Sequence, residues 1–142
     1  MIYLTQATKL LLRKDICMWF WWFMFACNML YSLTMIIAGW YMWKHYPKKI
    51  NSVVGYRSRR SKMNMDTWKF AHENCGKRWW KIGWIMLGPT VLVQIPFYGK
   101  SDDAIGWISL VICITECVIL LASILPTEKA LKNTFHDDGS RK

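Results

Sequence analysis

Apolar residues fall into three long blocks along this chain, and the charged residues lie mostly between the blocks. The first block covers residues 16–43 without a charged residue, the second about 79–98, and the third about 104–125. A helix needs roughly 20 mainly apolar residues to cross a hydrocarbon core about 30 Å thick. The pattern therefore predicts an all-α integral membrane protein with three transmembrane helices in a single membrane domain, residues 1–142.

Features within the blocks favour the same interpretation. Aromatic residues, among them Trp19 and Trp40, stand at both ends of the first block, as they do at two membrane–water interfaces. Only residues 99–103 separate the second and third blocks, and so short a loop predicts an antiparallel helical hairpin. Pro89 inside the second block predicts a kink there.

The segment between the first two blocks, residues 44–78, is predicted to be an ordered loop that contains a short helix. Asn64 or Asp66 would cap this helix, and Gly76 would end it. Its apolar positions fall on one helical face, which would lie on the membrane surface or on the cytoplasmic ends of the helices. Residues 1–15 are predicted to be a separate short amphipathic segment at the outer surface.

The distribution of positive charge predicts the orientation. The hairpin loop holds only Lys100, and three basic residues precede the first block. Because Lys and Arg concentrate on the cytoplasmic side, the long loop is predicted to be cytoplasmic, with the N-terminus outside and the tail, residues 126–142, inside. Residues 44–81 hold eleven of the chain's 19 Lys and Arg residues: Lys44, Lys48, Lys49, Arg57, Arg59, Arg60, Lys62, Lys69, Lys77, Arg78 and Lys81.

Two interpretations of this basic loop remain open. It could act as an anchor, since each Lys or Arg near an anionic membrane surface contributes about 1 kcal/mol. Alternatively, Arg57, Arg59 and Arg60 could form a phosphate-type pocket for a lipid headgroup or a partner's carboxylate, together with the hydroxyls of Tyr56, Ser58 and Ser61. Direct binding of nucleic acid is not expected of a loop that is held at a membrane.

Glu116 lies near the middle of the third block, where a carboxylate is paired, protonated or functional. Asn28, Ser32 and Thr34 of the first block and Gln94 of the second are its candidate partners. Glu116, Gln94 and Asn28 would then form an intramembrane polar site. The alternative is a neutral Glu116 that only joins helices by hydrogen bonds.

No metal site or cofactor is expected. None of the histidines lies in a block, and the five cysteines form no CxxC pair, so small buried apolar side chains are the expected role of the cysteines. Nucleotide-binding, metalloprotease and nucleophile-elbow motifs are absent from the sequence, and no catalytic residue can be assigned. We therefore expect a protein that is not an enzyme.

The stretch from Pro47 to Ser58, followed by Ser61, Asn64 and the run from Asp66 to Ala71, resembles the SdpI family of bacterial membrane immunity proteins. The family pattern has an Asn, then Gly-Tyr-Arg-Thr, a Ser and Trp-x-x-Ala-Asn. The tail from Thr127 to Phe135, closing with Gly139, is also similar to the family's ending. Two departures are Ser58 in place of Thr and His72 in place of Asn. The matching residues, which the resemblance marks as functional, are Asn51, Gly55, Tyr56, Arg57, Ser58, Ser61, Asn64, Trp68, Ala71 and Glu128.

The resemblance implies a multi-pass protein of the bacterial cell membrane that protects its host from a toxic antimicrobial peptide. It also implies a possible signalling role, in which a cytoplasmic repressor is held at the membrane. The loop motif is expected to fold against the helix ends and pair with the region of Glu128. A different class of function is a protein that binds an anionic lipid or carrier phosphate through the loop arginines and Glu116. The sequence does not indicate an oligomeric state.

Overall fold

A computed structural model gives the fold. It describes the backbone of residues 2–51 and 53–142, and the side chains from residue 18 onward except that of residue 52. The described chain consists of helices joined by loops and contains no β-strand, which confirms the all-α prediction. The helices are α1 (Ile2–Lys44), α2 (Met65–Gln94), a short 3-10 helix (Ile95–Phe97), α3 (Asp102–Ala122) and α4 (Ile124–Thr134).

The helix boundaries correct two predictions and add a helix. Residues 2–15 are not a separate segment, because α1 runs through them without a break. The loop helix and the second apolar block form one helix, α2, so Gly76 does not end a helix. The tail is also helical from Ile124, a continuation that the sequence pattern did not predict. Pro126 falls in the first turn of α4, where its missing N–H leaves no hydrogen bond unmade.

Helix α1 packs most extensively against α2, and glycines set how closely the two backbones approach. A Cβ on Gly76 would lie 2.5 Å from the backbone nitrogen of Trp43, and one on Gly83 would lie 3.0 Å from that of Ile36. Gly39 faces the backbone of Trp80 in the same way. Membrane helices commonly use such small residues to bring backbones together. Gly76 thus serves helix packing rather than helix termination.

The distribution of polar and apolar side chains differs from that in a soluble bundle. Large apolar side chains are exposed along α1 and α3, and the interior between the helices holds polar side chains beside apolar ones such as Met35 and Ile105. Such a surface suits a lipid environment. The buried polar or charged side chains of the three long helices are Asn28, Ser32, Thr67, His72, Thr90, Gln94, Ser109 and Glu116.

Among the residues whose side chains are described, two stretches are long and apolar enough to cross a membrane, Met18–Lys44 and Asp102–Thr134. Helix α2 does not meet this criterion. After Lys81 it continues only to Gln94, and 13 residues at about 1.5 Å each span roughly 20 Å, less than the hydrocarbon core. The third predicted crossing therefore stays a prediction.

The hairpin between α2 and α3 has the predicted short connection. Gly99 adopts a positive φ of 73°, which a glycine tolerates without strain. Ser101 caps α3 by accepting a hydrogen bond from the backbone N–H of Ala104, and Asp102 and Asp103 lie in the first turn, where they favour the helix dipole. Although adjacent in sequence, α2 and α3 touch each other little, and α3 packs mainly against α1.

Substituting Gly76 by Ala should lower the free energy of unfolding by about 1–3 kcal/mol, because the added methyl group would force α1 and α2 apart. Gly88→Ala is the matched control in the same helix, since a Cβ there meets no atom within 4 Å. The control should be neutral or stabilise by up to about 1 kcal/mol. Unfolding of the detergent-solubilised protein measures both. Equal changes in the free energy of unfolding for the two variants would show that the close approach of α1 and α2 at Gly76 does not contribute to stability.

Candidate functional site

The residues that match the family pattern lie in the loop 45–64, at the start of α2 and in the tail. The turn begins at Asn51, whose side-chain Oδ1 accepts hydrogen bonds from the backbone N–H groups of Val53 (3.0 Å) and Val54 (2.8 Å). Gly55 follows with a φ of 104°, and a Cβ there would overlap the imidazole of His72. Glycine is thus required at residue 55 both by backbone conformation and by space.

Tyr56 connects the loop to two other elements. Its backbone N–H donates to His72 Nε2 (3.1 Å), and its hydroxyl donates to Glu128 Oε1 (2.6 Å) on α4. The ring is buried in an apolar cluster with Leu131 and Phe135. Burial and the neighbouring Glu128 carboxylate both raise the pKa of the Tyr56 hydroxyl far above its ordinary value, so it remains a donor. The predicted pairing of the loop with the Glu128 region is therefore present.

The two motif serines hold the turn that follows Tyr56. Ser61 is fully buried, and its Oγ accepts a hydrogen bond from the backbone N–H of Ser58 (2.9 Å) and lies 3.1 Å from the backbone oxygen of Tyr56, to which it can donate. Ser58 Oγ in turn accepts from the backbone N–H of Ser61 (3.1 Å). These hydroxyls are therefore engaged within the loop, and Ser58 makes the contact that a Thr hydroxyl would also make.

Asn64 joins the start of α2 to the tail. It is the N-cap residue, and its Oδ1 accepts from the backbone N–H of Thr67 (2.8 Å), while Thr67 Oγ1 accepts from the backbone N–H of Asn64 (3.1 Å). The Asn64 side chain also donates to the backbone oxygen of Gly139 (2.6 Å). Gly139 has a φ of 85°, and a Cβ there would lie 2.8 Å from Asn64 Nδ2.

Trp68, Ala71 and His72 form the fully buried inner face of the first turns of α2. The indole N–H of Trp68 donates to the backbone oxygen of Pro47 (2.8 Å), which fixes the chain leaving α1. His72 Nδ1 lies 2.8 Å from the backbone oxygen of Trp68 and therefore carries the proton, while Nε2 accepts from Tyr56. His72 thus combines one donor and one acceptor, as the amide of an Asn does.

We call Tyr56, Ser61, Asn64, Trp68, His72 and Glu128 the loop–tail cluster. It joins the end of α1, the loop, the start of α2, and α4 with the chain beyond it. Cys75 lies against the cluster, and burial raises the pKa of its thiol to about 12, so it is an unreactive thiol near neutral pH.

The three loop arginines do not share one pocket. Arg57 is exposed and lines a cavity of about 280 Å³ with Tyr56 and Cys75. Arg59 and Arg60 line another cavity, of about 410 Å³. Glu128 and Asp137 line it too, and Arg60 forms a 2.8 Å salt bridge with Asp137. The phosphate-type pocket is therefore divided, and its second half contains acidic groups as well.

A second polar site lies between the helices. Glu116 on α3 is 3% exposed, and its Oε1 accepts hydrogen bonds from Ser32 Oγ of α1 (3.1 Å) and Thr90 Oγ1 of α2 (2.7 Å). Its other oxygen, Oε2, is buried and has no partner among the described residues. One carboxylate therefore joins three helices but leaves one oxygen unsatisfied.

Asn28 lies one helical turn before Ser32 on α1, and Gln94 lies one turn after Thr90 on α2. Asn28 Nδ2 donates to Gln94 Oε1 (2.9 Å), and Gln94 Nε2 donates to the backbone oxygen of Thr90 (2.8 Å). They bond to each other rather than to Glu116. Thr34, also considered as a partner of Glu116, bonds instead to the backbone oxygen of Leu30 on its own helix.

Thr90 and Thr67 were not predicted as site residues from the sequence. Thr90 and Gln94 are polar residues four positions apart in an apolar block, a spacing that places them on one helical face and could have identified Thr90. In the described part of the chain, no group of three His, Cys, Asp or Glu side chains lies close enough to hold a metal ion.

The stability of the protein should fall as the pH drops below about 6.5, the ordinary pKa of His. Burial lowers the pKa of His72 in the folded chain, an effect that the hydrogen bond to Trp68 only partly opposes. Between the folded and unfolded pKa values the unfolded state binds more protons, so acidification favours unfolding. His72→Asn should remove this part of the pH dependence in thermal unfolding. An unchanged pH profile would show that the pKa of His72 is the same in the folded and unfolded states.

Tyr56→Phe should lower the free energy of unfolding by about 1.5–3 kcal/mol, because it removes a hydrogen bond to a half-buried carboxylate. Glu128→Gln should cost less when Tyr56 is already Phe, so the double variant should be less destabilised than the sum of the single ones. Tyr41→Phe, at an exposed side chain, is the control. Unfolding of the four proteins measures this coupling, and additive effects would mean that the two side chains do not interact.

Comparison with known proteins agrees with these motifs. A family model described as the SdpI/YfhL protein family matches residues 48–127. The chain is also similar to the "Uncharacterized protein YfhL" of Bacillus subtilis (strain 168), with 32% identity over 105 residues, which cover 74% of this chain and 86% of that protein. No solved structure matches. With its loop motif, hairpin and apolar helices, this chain belongs to the SdpI/YfhL family of membrane proteins.

Proposed function

We propose that this protein is a non-enzymatic immunity protein of the bacterial cell membrane, which protects the cell from a toxic antimicrobial peptide. The observation that supports this function is the loop–tail cluster. Residues of the family pattern that are scattered from Tyr56 to Glu128 meet there and hold one another by hydrogen bonds. Because the polar groups of this motif already have hydrogen-bond partners within the protein, the motif fits a structural scaffold for binding better than a catalytic centre.

The cluster also supports three membrane crossings. It places the start of α2 beside the chain that follows α3, through the contacts of Tyr56 with Glu128 and of Asn64 with Gly139. A chain that crosses in α3 and ends beside the start of α2 has to cross the same depth in α2, in the opposite direction. The basic residues at the start of α2 then lie at the interface, and its short apolar part is completed by residues 95–98.

The positive-inside rule places the loop–tail cluster in the cytoplasm and the N-terminus outside. The hairpin turn at residues 99–101 then faces the outside, where a secreted peptide arrives. In this arrangement the peptide contacts the outer helix ends or the spaces between helices, and the cluster fixes the cytoplasmic ends. Exposed loop groups such as Arg57 would be the surface available to a cytoplasmic repressor, if the protein also signals.

Expression in a susceptible Gram-positive host, challenged separately with a panel of secreted toxic peptides, tests the function. We expect survival against one peptide and none against unrelated membrane-active peptides. Arg57→Ala should reduce survival to that of cells without the protein while membrane insertion is retained, because Arg57 is the exposed charged member of the family pattern. Lys62→Ala, at another exposed basic loop residue, should protect fully.

If well-expressed protein protects the cells against none of the peptides, the immunity function is contradicted. Full protection by Arg57→Ala would instead leave the immunity function intact and reduce Arg57 to a membrane anchor.

The cavity of Arg59 and Arg60 favours a second candidate, the binding of an anionic lipid or carrier phosphate. In this function the loop arginines hold the phosphate, and Glu116 takes part between the helices. Mass spectrometry of lipids that copurify with the protein tests it. A single headgroup type that is lost in Arg59→Ala/Arg60→Ala and kept in Lys62→Ala would support it. Full function of Glu116→Gln would remove Glu116 from this role.

A further inference from the structure

An apolar groove runs between residues 85–93 of α2 and residues 108–119 of α3. It arises because both helices pack against α1 but touch each other little. Its volume is about 330 Å³, and every residue lining it except Thr90, Thr115 and Glu116 is apolar. The lining residues are Ile85, Met86, Pro89, Thr90 and Val93 of α2, and Ile108, Val111, Ile112, Thr115, Glu116 and Ile119 of α3.

Among the described side chains that line this groove, Glu116 has one buried oxygen without a hydrogen-bond partner. Thr115 donates its hydroxyl to the backbone oxygen of Val111 (2.8 Å), and Thr90 donates to Glu116 Oε1 (2.7 Å). Ser32 donates to the same oxygen, so Oε1 already accepts two hydrogen bonds. Glu116 Oε2 is buried without any partner among the described residues. A buried carboxylate oxygen without a donor is unfavourable in an apolar environment, where no water replaces the missing bond.

A role in holding the helices together does not by itself explain why residue 116 is a glutamate. An amide or a hydroxyl could accept the hydrogen bonds of Ser32 and Thr90 at a lower desolvation cost than a carboxylate. The second oxygen becomes useful only if something in the groove donates a hydrogen bond to it. A cationic donor is the best match, because it also compensates the charge.

We propose that the groove binds an apolar helical peptide segment carrying one basic side chain, whose charged group donates to Glu116 Oε2. This inference deepens the proposed function, since it names the place where the protein would hold a toxic peptide. The groove residues of α3, from Ile108 to Ile119, recur at three- and four-residue spacing and make a continuous stripe. Together with α2 this stripe forms the kind of channel in which an apolar helix face lies during helix-in-groove recognition.

A lipid tail is a poorer occupant than a peptide. An acyl chain would fill the apolar part of the groove, but at this depth it offers no donor to Glu116. A peptide can fill the same walls and also satisfy the carboxylate. The ion pair between the Glu116 carboxylate and the basic side chain of the peptide therefore distinguishes the peptide from the surrounding lipid.

Binding of two synthetic helices to the full chain in lipid nanodiscs tests the inference. Each helix is a fluorescent Leu/Ala peptide of about 20 residues, and the two differ only in a central Lys or Leu. Energy transfer to a label on the exposed loop measures the dissociation constants. We expect the Lys peptide to bind roughly tenfold more tightly than the Leu peptide, the advantage of one charged hydrogen bond.

Glu116→Gln should abolish the preference for Lys, because its amide can still accept from Ser32 and Thr90 but no longer offers a carboxylate to a cation. Val111→Trp should weaken binding of both peptides by filling the groove. Ile114→Trp is its control, since Ile114 is exposed on α3 outside the groove. Retained folding of each variant is checked by size-exclusion chromatography.

Three results would overturn the inference. Equal binding of the two peptides would indicate an apolar occupant such as an acyl chain, and a preference for Lys that persists in Glu116→Gln would show that Glu116 does not bind the cation. Dissociation of a dimer in Val111→Trp would mean that a second copy of this chain fills the groove. The survival assay is separate. If Val111→Trp still protects cells, the proposal that the groove binds the peptide is contradicted and the immunity function is retained. If the protein prefers the Lys peptide but does not protect cells, binding in the groove is supported and the immunity function is contradicted.

Discussion

The close contact of α1 with α2 is the constraint on which the rest of this structure depends. Gly39 and Gly76 let the backbones meet where larger side chains would separate them, and Gly83 extends the contact along the helix. Because lipid provides no hydrophobic driving force between helices, van der Waals contact of this kind and interhelical hydrogen bonds have to hold the pair together. The pair then forms the surface on which α3 and α4 are placed.

The two polar sites follow from this pairing at opposite ends. Towards the loop, the start of α2 lies beside the end of α1, which allows Trp68 to bond to Pro47 and the loop to close over His72. Deeper in, Ser32 of α1 and Thr90 of α2 come close enough to share one oxygen of Glu116. A small shift between the two helices would affect both sites, since the same seam of glycines positions them.

Much of this architecture could be predicted because membrane helices and their connections leave strong local signals. The apolar blocks, the short hairpin loop and the cap at Asn64 depend only on neighbouring residues. The role of Gly76 could not be predicted locally, because a glycine that ends a helix and one that lets another helix approach look alike in sequence. Glu116 was expected to have partners, but only the relative rotation of the helices decided that Ser32 and Thr90, rather than Asn28 and Gln94, would reach it.

The bond between Asn64 and Gly139 has a consequence for biosynthesis. The loop is translated before α3 and α4, so its motif has no carboxylate from Glu128 and no carbonyl from Gly139 while it leaves the ribosome. In the proposed topology with three crossings, it remains open until the hairpin has inserted and brought the tail back to the same side. Closure of the motif would then depend on correct insertion of the hairpin, and a chain inserted wrongly would keep an open loop that quality-control proteases can recognise.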